Sequence, residues 1–313
     1  MKIIIRSIIK ALPQTICTNA NLPKSLETSD EWIVNHTGIK SRYIAAENES
    51  CSFLGAEACN KVLEKAEVKP EEVGLLICTT TTPEYKGFPS TACLIQNKSG
   101  LVNAACFDLS AACSGFIYAL NTAAAMMESN SIKYAIVCSS EILSKICDWS
   151  DRSTCVLFGD ACGAVLLERN DDSSKRGIGT FILGADGSGE KSLFLGNDGY
   201  IKMDGHVVYD FAVSKMTKII SELMEKEKLS ETDVDYFVCH QANERILKAS
   251  AKRLGFNFEK FICSIDKYGN TSSASIPITL ADMEAEGKIK KGTTIVFAAF
   301  GAGLTWAGTV IRF

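Results

Sequence analysis

Short apolar runs recur along the chain, separated by longer stretches in which apolar and polar residues follow a helical rhythm. GLLICTT (74–80), YAIVCSS (134–140), DYFVCHQ (235–241) and TIVFAAF (294–300) are four such runs. Their length and their Val, Ile and Phe content read as strands buried within a largely parallel sheet. GFIYALNTAAAMMES (115–129) and HQANERILKASAKRLG (240–255) read as helices, rich in good helix formers. Strand and helix alternate throughout, which predicts an α/β fold. The opening MKIIIRSIIKALP is interrupted by Arg6 and Lys10 and has no nearby small-residue cleavage pattern. It reads as a first strand rather than a secretory signal. VFAAFGAGLTWAGTVI (296–311) is too short and too glycine-rich for a membrane span.

The pattern also echoes itself. LEKAEVKPEEVGLLICT (63–79) and MEKEKLSETDVDYFVCH (224–240) share a helix end, a polar turn and a strand closing on a cysteine, at an offset of 161 residues. YAIVCSS and TIVFAAF repeat at an offset of 160. Two echoes at nearly one spacing predict a duplicated unit about half the chain long. The halves are expected at 1–172 and 173–313, joined within the polar segment ERNDDSSKRGIG (168–179).

Composition narrows the function classes. The 313 residues carry a net charge of -4, and basic residues are neither in excess nor blocked together, which argues against a nucleic-acid surface. There are 13 cysteines and no CxxC, which argues against a zinc ribbon or a thioredoxin-type site. Most sit inside apolar runs and read as small hydrophobic fillers of a protein in a reducing cytoplasm.

Cys113 stands apart. In DLSAACSGFIYAL (108–120) it lies between a short strand and a helix, flanked by Ala111, Ala112, Ser114 and Gly115. Unpaired N–H groups and the positive end of a helix dipole favour an anion there, so the thiol is expected to ionise readily. The small neighbours leave room for an acyl group, and the layout is like a nucleophile elbow with sulfur for oxygen. Of the chain's three histidines, His240 lies at a strand-to-helix junction, where functional residues gather. His206 follows Asp-Gly in what reads as a hairpin turn on the surface, and His36 lies in a helix whose start is marked by Thr28 and Glu31 at capping-box spacing. Asn270, in KYGNTSSASIP, reads either as a turn residue or as an amide donor beside the imidazole. The glycine-rich turn of AFGAGLTWAG (299–308) follows a strand and can aim N–H groups at an oxyanion. Arg245, Lys248 and Lys252 share one helix face after His240.

Four segments in order, DLSAACSGF, HQAN, YGNTSSAS and AFGAGLTW, resemble the β-ketoacyl-acyl-carrier-protein synthases III, and the likeness runs from TSDEWIVNHTGIKSRYIA to the final VIRF. The resemblance implies a thiolase-like, internally duplicated αβαβα fold, a homodimer, no cofactor or metal, and an acyl-CoA thioester as substrate with acyl carrier protein as partner. It implies a catalytic Cys113, His240 and Asn270, with an oxyanion hole from the Cys113 and Ala302 amides. The thiol is expected to take an acyl group from CoA. His240 and Asn270 then donate to the enolate left when a malonyl thioester loses CO2. The resemblance also places Trp32, Arg152 and Asn243 against CoA, and Phe88, Leu143 and Phe158 around the acyl chain, Phe88 reaching across the dimer. The basic face of Arg245, Lys248 and Lys252 suits an acidic carrier protein. The chain departs from the pattern in four places. His36 stands where Arg is common, Asp210 where Lys is common, FGDACGA replaces FGDGAGA, and GAG replaces GGG. These leave open an acyltransferase or a condensing enzyme of a specialised pathway on the same fold. A Cys-His-Asn hydrolase lacks its CGSCW-type signature here, and a non-catalytic carrier-binding protein would not need the triad.

Overall fold

A strand apolar at consecutive positions sends alternate side chains to opposite faces, so it must be covered on both sides. The computed structural model, which describes residues 2–170 and 176–313, meets that demand with two stacked sheets and three helical layers. The first half of the chain runs β1 (Lys2–Ala11), β2 (Thr15–Thr18), α1 (Asp30–Thr37), β3 (Ser41–Ile44), α2 (Cys51–Ala66), β4 (Val73–Thr79), α3 (Thr91–Lys98), β5 (Ala105–Leu109), α4 (Gly115–Ser129), β6 (Tyr134–Ile142) and β7 (Asp160–Asn170). The second half runs β8 (Gly177–Ala185), β9 (Leu193–Leu195), β10 (Ile201–Met203), α5 (Gly205–Lys226), β11 (Tyr236–Cys239), α6 (Glu244–Leu254), α7 (Ile265–Tyr268), α8 (Ser275–Ala285), β12 (Thr294–Gly301) and β13 (Thr305–Arg312). The expected join between halves lies in part outside the described residues, between β7 and β8.

Among the described residues, one large sheet has the order β1-β7-β6-β4-β5 and the other β11-β12-β13-β8. Read from β8, the second repeats the first: β8 matches β1, β13 matches β7, β12 matches β6 and β11 matches β4. Where a partner to β5 belongs, a single parallel bridge joins Phe237 to Phe261. The echoed sequences therefore occupy equivalent strands.

The period of two sorts the cores. Leu75, Ile77, Ala135 and Val137 face inward to a core shared with Ile295, Phe297 and Ala299. Leu76, Cys78, Ile136 and Cys138 face outward to α2 and α3. Val296, Ala298 and Phe300 face outward to α5 and α6. Helices α4 and α8 fill the space between the sheets, giving αβαβα. Phe116 of α4 and Phe297 of β12 are fully buried, their ring centroids 6.4 Å apart, and bind the two halves together. Truncating either ring to alanine costs about 3–5 kcal/mol.

Both central helices start alike. Ala112 and Ser272 have φ of 45° and 50°, each opening a 3-10 turn that leads into α4 or α8. Two expectations from the sequence fail at helix starts. Ser29, not Thr28, caps α1, its Oγ accepting from Trp32 N–H at 3.1 Å, because Asn19 holds Asp30 at the first helical position. His206 is not in a hairpin turn. Asp204 Oδ1 accepts from His206 and Val207 N–H, so Asp-Gly begins α5. No helix among the described residues is long and apolar enough to cross a membrane.

Candidate active site

Cys113 sits in the 3-10 turn between β5 and α4, at the carboxyl end of the first sheet. The turn is tied to the glycine-rich loop between β12 and β13. Thr305 Oγ1 lies 2.7 Å from Ser114 Oγ and 3.1 Å from the carbonyls of both Ala111 and Ala302. Gly301 packs so close that a Cβ there would stand 2.7 Å from Cys113 N. The tight turn and the loop thus bring the backbone of Cys113 and Ala302 to one wall of a cavity of about 390 Å³. Leu143, Ile146, Phe158, Leu193 and Ile201 give that cavity an apolar lining.

A smaller cavity of about 90 Å³ is lined by Cys113, His240 and Asn270 together, with Phe158, Asn243 and Phe300. The three side chains predicted to act together therefore converge. His240 follows β11, its main-chain N–H bonded to Ala298 O at 2.9 Å. The residue is 2% exposed, and its ring packs edge-on to Phe300 with Nδ1 2.8 Å from Ser275 Oγ. Asn270 is anchored through its backbone to Leu157 and Gly159, on either side of Phe158. Its Oδ1 accepts from Ser272 N–H at 2.9 Å, which leaves the amide NH2 as the free end. The Asn after Gly is thus not a simple turn residue: its backbone forms a parallel bridge with Phe158.

The electrostatics differ from the expected thiolate. Burial pushes the Cys113 thiol up to about 12; the Ser272 hydroxyl pulls it down and the Glu141 charge pushes it further up. Burial also lowers the His240 imidazole to about 3. Desolvation outweighs the helix terminus, so the sulfur and the ring are both neutral near pH 7.

Three residues escaped the sequence reading. Ser275 faces the His240 ring, and Thr305 fastens the loop to the nucleophile turn. Glu141, fully buried at the end of β6, accepts from Thr81 N–H and Oγ–H at 2.8 Å and from Ser273 Oγ–H at 2.7 Å. Its only signal in the sequence was a charge interrupting the apolar YAIVCSSEI run.

The remaining expected positions fall around this centre. Trp32 is 38% exposed, with the Arg152 guanidinium 5.2 Å from its ring and Arg152 Nη1 bonded to Glu27 O. His36 stacks on Trp32 at 4.3 Å and donates from Nδ1 to Trp32 O. Asn243 lines the small cavity, but its side chain is held at both ends, capping α6 and bonding His36 O. Arg245, Lys248 and Lys252 are exposed on α6, with Lys248 paired to Glu244 at 2.8 Å, and Asp210 is exposed on α5. Phe88 is 90% exposed and lines neither cavity of its own chain.

Comparisons with known proteins place the chain in a family. Residues 107–187 match the family described as 3-oxoacyl-[acyl-carrier-protein (ACP)] synthase III, and residues 224–313 match its C-terminal family. The chain is 44% identical over 315 residues to the β-ketoacyl-[acyl-carrier-protein] synthase III of Clostridium acetobutylicum, covering 96% of this chain and 95% of the relative. It is 45% identical over 302 residues to the enzyme of the same name from Aquifex aeolicus, covering 96% of each. The crystal structure of 3-oxoacyl-[acyl-carrier-protein] synthase III from Aquifex aeolicus superposes with a TM-score of 0.95 at 44% identity, over 99% of this chain and 100% of that one. The chain belongs to the β-ketoacyl-acyl-carrier-protein synthase III family, condensing enzymes of the thiolase fold.

Proposed function

We propose that this chain condenses a short acyl-CoA primer with malonyl-acyl-carrier protein, releasing CO2 and giving a 3-oxoacyl-acyl-carrier protein that initiates fatty-acid synthesis. The observation that carries the reading is the convergence of Cys113, His240 and Asn270 on one cavity, beside a larger apolar one that also reaches Cys113.

In the first step Cys113 Sγ attacks the acyl-CoA carbonyl. A C–S bond forms to Cys113 as the C–S bond to CoA breaks, and the thiol proton ends on the CoA sulfur. The exchange consumes no net proton, so a neutral resting thiol is compatible with it. The amides of Cys113 and Ala302 hold the oxyanion. In the second step the malonyl thioester loses CO2, and the electron pair of the broken C–C bond becomes an enolate. His240 and Asn270 donate hydrogen bonds to the enolate oxygen. The enolate carbon attacks the acyl-cysteine, and the released sulfur takes a proton from solvent. Decarboxylation itself generates the nucleophile, so no strong base is required. A carboxylate in place of Asn270 would repel both malonate and enolate.

Trp32, Arg152 and Asn243 belong to the CoA side in this reading, and Leu143 and Phe158 to the acyl side. Arg245, Lys248 and Lys252 offer the carrier protein a basic face. A homodimer fits the half-exposed edge strand β5 and the bare Phe88, which would close the partner's acyl pocket. The thirteen free thiols suit the cytoplasm. The halves are taken as 1–172 and 173–313.

Incubation with a panel of acyl-CoAs, followed by peptide mass spectrometry, is expected to place the acyl group on Cys113, and malonyl-carrier protein is expected to discharge it with CO2 release. Asn270→Asp is expected to keep acylation and to lose condensation by about 100-fold or more. Absence of acyl-Cys113 with every acyl-CoA tested refutes the reading.

A further inference from the structure

The donor role given to His240 depends on where its single ring proton sits, and the structure contains a group that decides this. Ser275, the first residue of α8, is 1% exposed, and its Oγ lies 2.8 Å from His240 Nδ1. The same Oγ accepts from the Gln241 N–H at 3.4 Å. Among the described residues, Nδ1 is the only hydrogen-bond acceptor within reach of the Ser275 hydroxyl proton. Were Nδ1 protonated, Ser275 Oγ would accept from two N–H groups and its own O–H would be buried without an acceptor, a costly arrangement. The satisfied arrangement has Ser275 donating to the Nδ1 lone pair. The ring proton is then on Nε2, which has no protein partner among the described residues.

We propose that Ser275 is a positioning residue that fixes His240 as the Nε2–H tautomer, aiming an N–H rather than a lone pair at the enolate oxygen. The inference rests on the condensing reading above for its consequence, though not for the hydrogen bond itself. It also explains a pairing within the site. Asn270 is held by the same logic, its acceptor end tied to Ser272 N–H and its donor end left free. The α8 turn thus fixes the proton orientation of both donors, from residues 272 and 275. The opposite tautomer would remove one of the two donors from the decarboxylation step. It would leave the attack of Cys113 on acyl-CoA largely intact, because that step relies on backbone amides.

The chain's three histidines make a direct test practical. Enzyme labelled with 15N-histidine, with His240→Gln used to assign the signals, is expected to show the buried imidazole unprotonated at Nδ1 and protonated at Nε2 near neutral pH. A proton on Nδ1 in the wild-type protein overturns the proposal without any variant. Ser275→Ala is expected to lose the fixed tautomer and to reduce condensation at least tenfold, with acylation of Cys113 and the KM for acyl-CoA changed less than threefold. Ser275→Thr, which keeps the hydroxyl, is expected to restore both the spectrum and the rate. Equal losses in acylation and condensation, or an unchanged tautomer in a folded Ser275→Ala protein, also overturn it. If the wild-type enzyme formed no acyl-Cys113, the condensing reading would fall while the spectrum would still decide the hydrogen bond.

Discussion

Cys113 and His240 show how burial overrides a local preference. The start of α4 favours a thiolate, but a sulfur buried at the foot of a cavity loses more hydration than the helix end returns. Alkylation of Cys113 by iodoacetamide is therefore expected to accelerate about tenfold per pH unit between pH 7 and 9, since only the thiolate reacts. A rate already level below pH 8 would show an ionised resting sulfur. His240 carries the complementary consequence. Its folded value of about 3 lies below that of the unfolded chain, so the unfolded state binds the extra proton between those values. Stability from this group is complete above about pH 7 and falls as pH drops toward 3. Acidification from pH 7 to 5 is expected to cost about 2 kcal/mol through His240 alone. The difference between urea denaturation of wild type and of His240→Gln at the two pH values measures it.

At the scale of elements, the site is a meeting of two turns rather than of two side chains. The 3-10 turn before α4 and the loop after β12 approach so closely that only a missing side chain at Gly301 allows contact. Gly301→Ala drives a Cβ to 2.7 Å from Cys113 N. It is expected to reduce the rate of Cys113 acylation by about 100-fold, because the oxyanion donors are displaced. Single-turnover acylation by mass spectrometry reads this directly, and circular dichroism checks that the sheet persists. Element boundaries were partly legible from sequence. The helix from Gly115 and the strands ending at Thr79 and Cys239 follow from pattern alone. The start of α5 did not, because Asp-Gly serves equally as a hairpin turn and as a helix cap, and only the following packing selects one.

Over the whole molecule, duplication explains why there is one such centre and not two. The positions equivalent to Cys113, His240 and Asn270 are Ser273, Thr79 and Ser110, at offsets of 160, 161 and 160. There Thr79 Oγ1 lies 3.1 Å from Ser273 Oγ, and Ser273 donates to the buried Glu141, so two of the three positions are closed in a hydroxyl–carboxyl network while Ser110 stands apart on the wall of the larger cavity. The Cys113 arrangement instead brings all three side chains to one cavity. Phe88 stands clear of the larger cavity in the single chain, and in the proposed homodimer it would close the acyl pocket of the other copy. Phe88→Ala is expected to shift primer preference toward longer chains, raising the ratio of kcat/KM for a six-carbon over a two-carbon acyl-CoA roughly tenfold. An unchanged ratio would place the limit of the pocket within one chain.

The sequence by itself determined the α/β class and the repeated half, which depend on periodicity and on an offset, while the trio Cys113, His240 and Asn270 came from the resemblance of four short segments, in order, to the synthase III family. Tertiary structure alone decided the protonation of the site and its supporting groups, Ser275, Thr305 and Glu141. Their roles come from desolvation and from hydrogen bonds between residues up to 194 positions apart, and neither leaves a local mark on the chain.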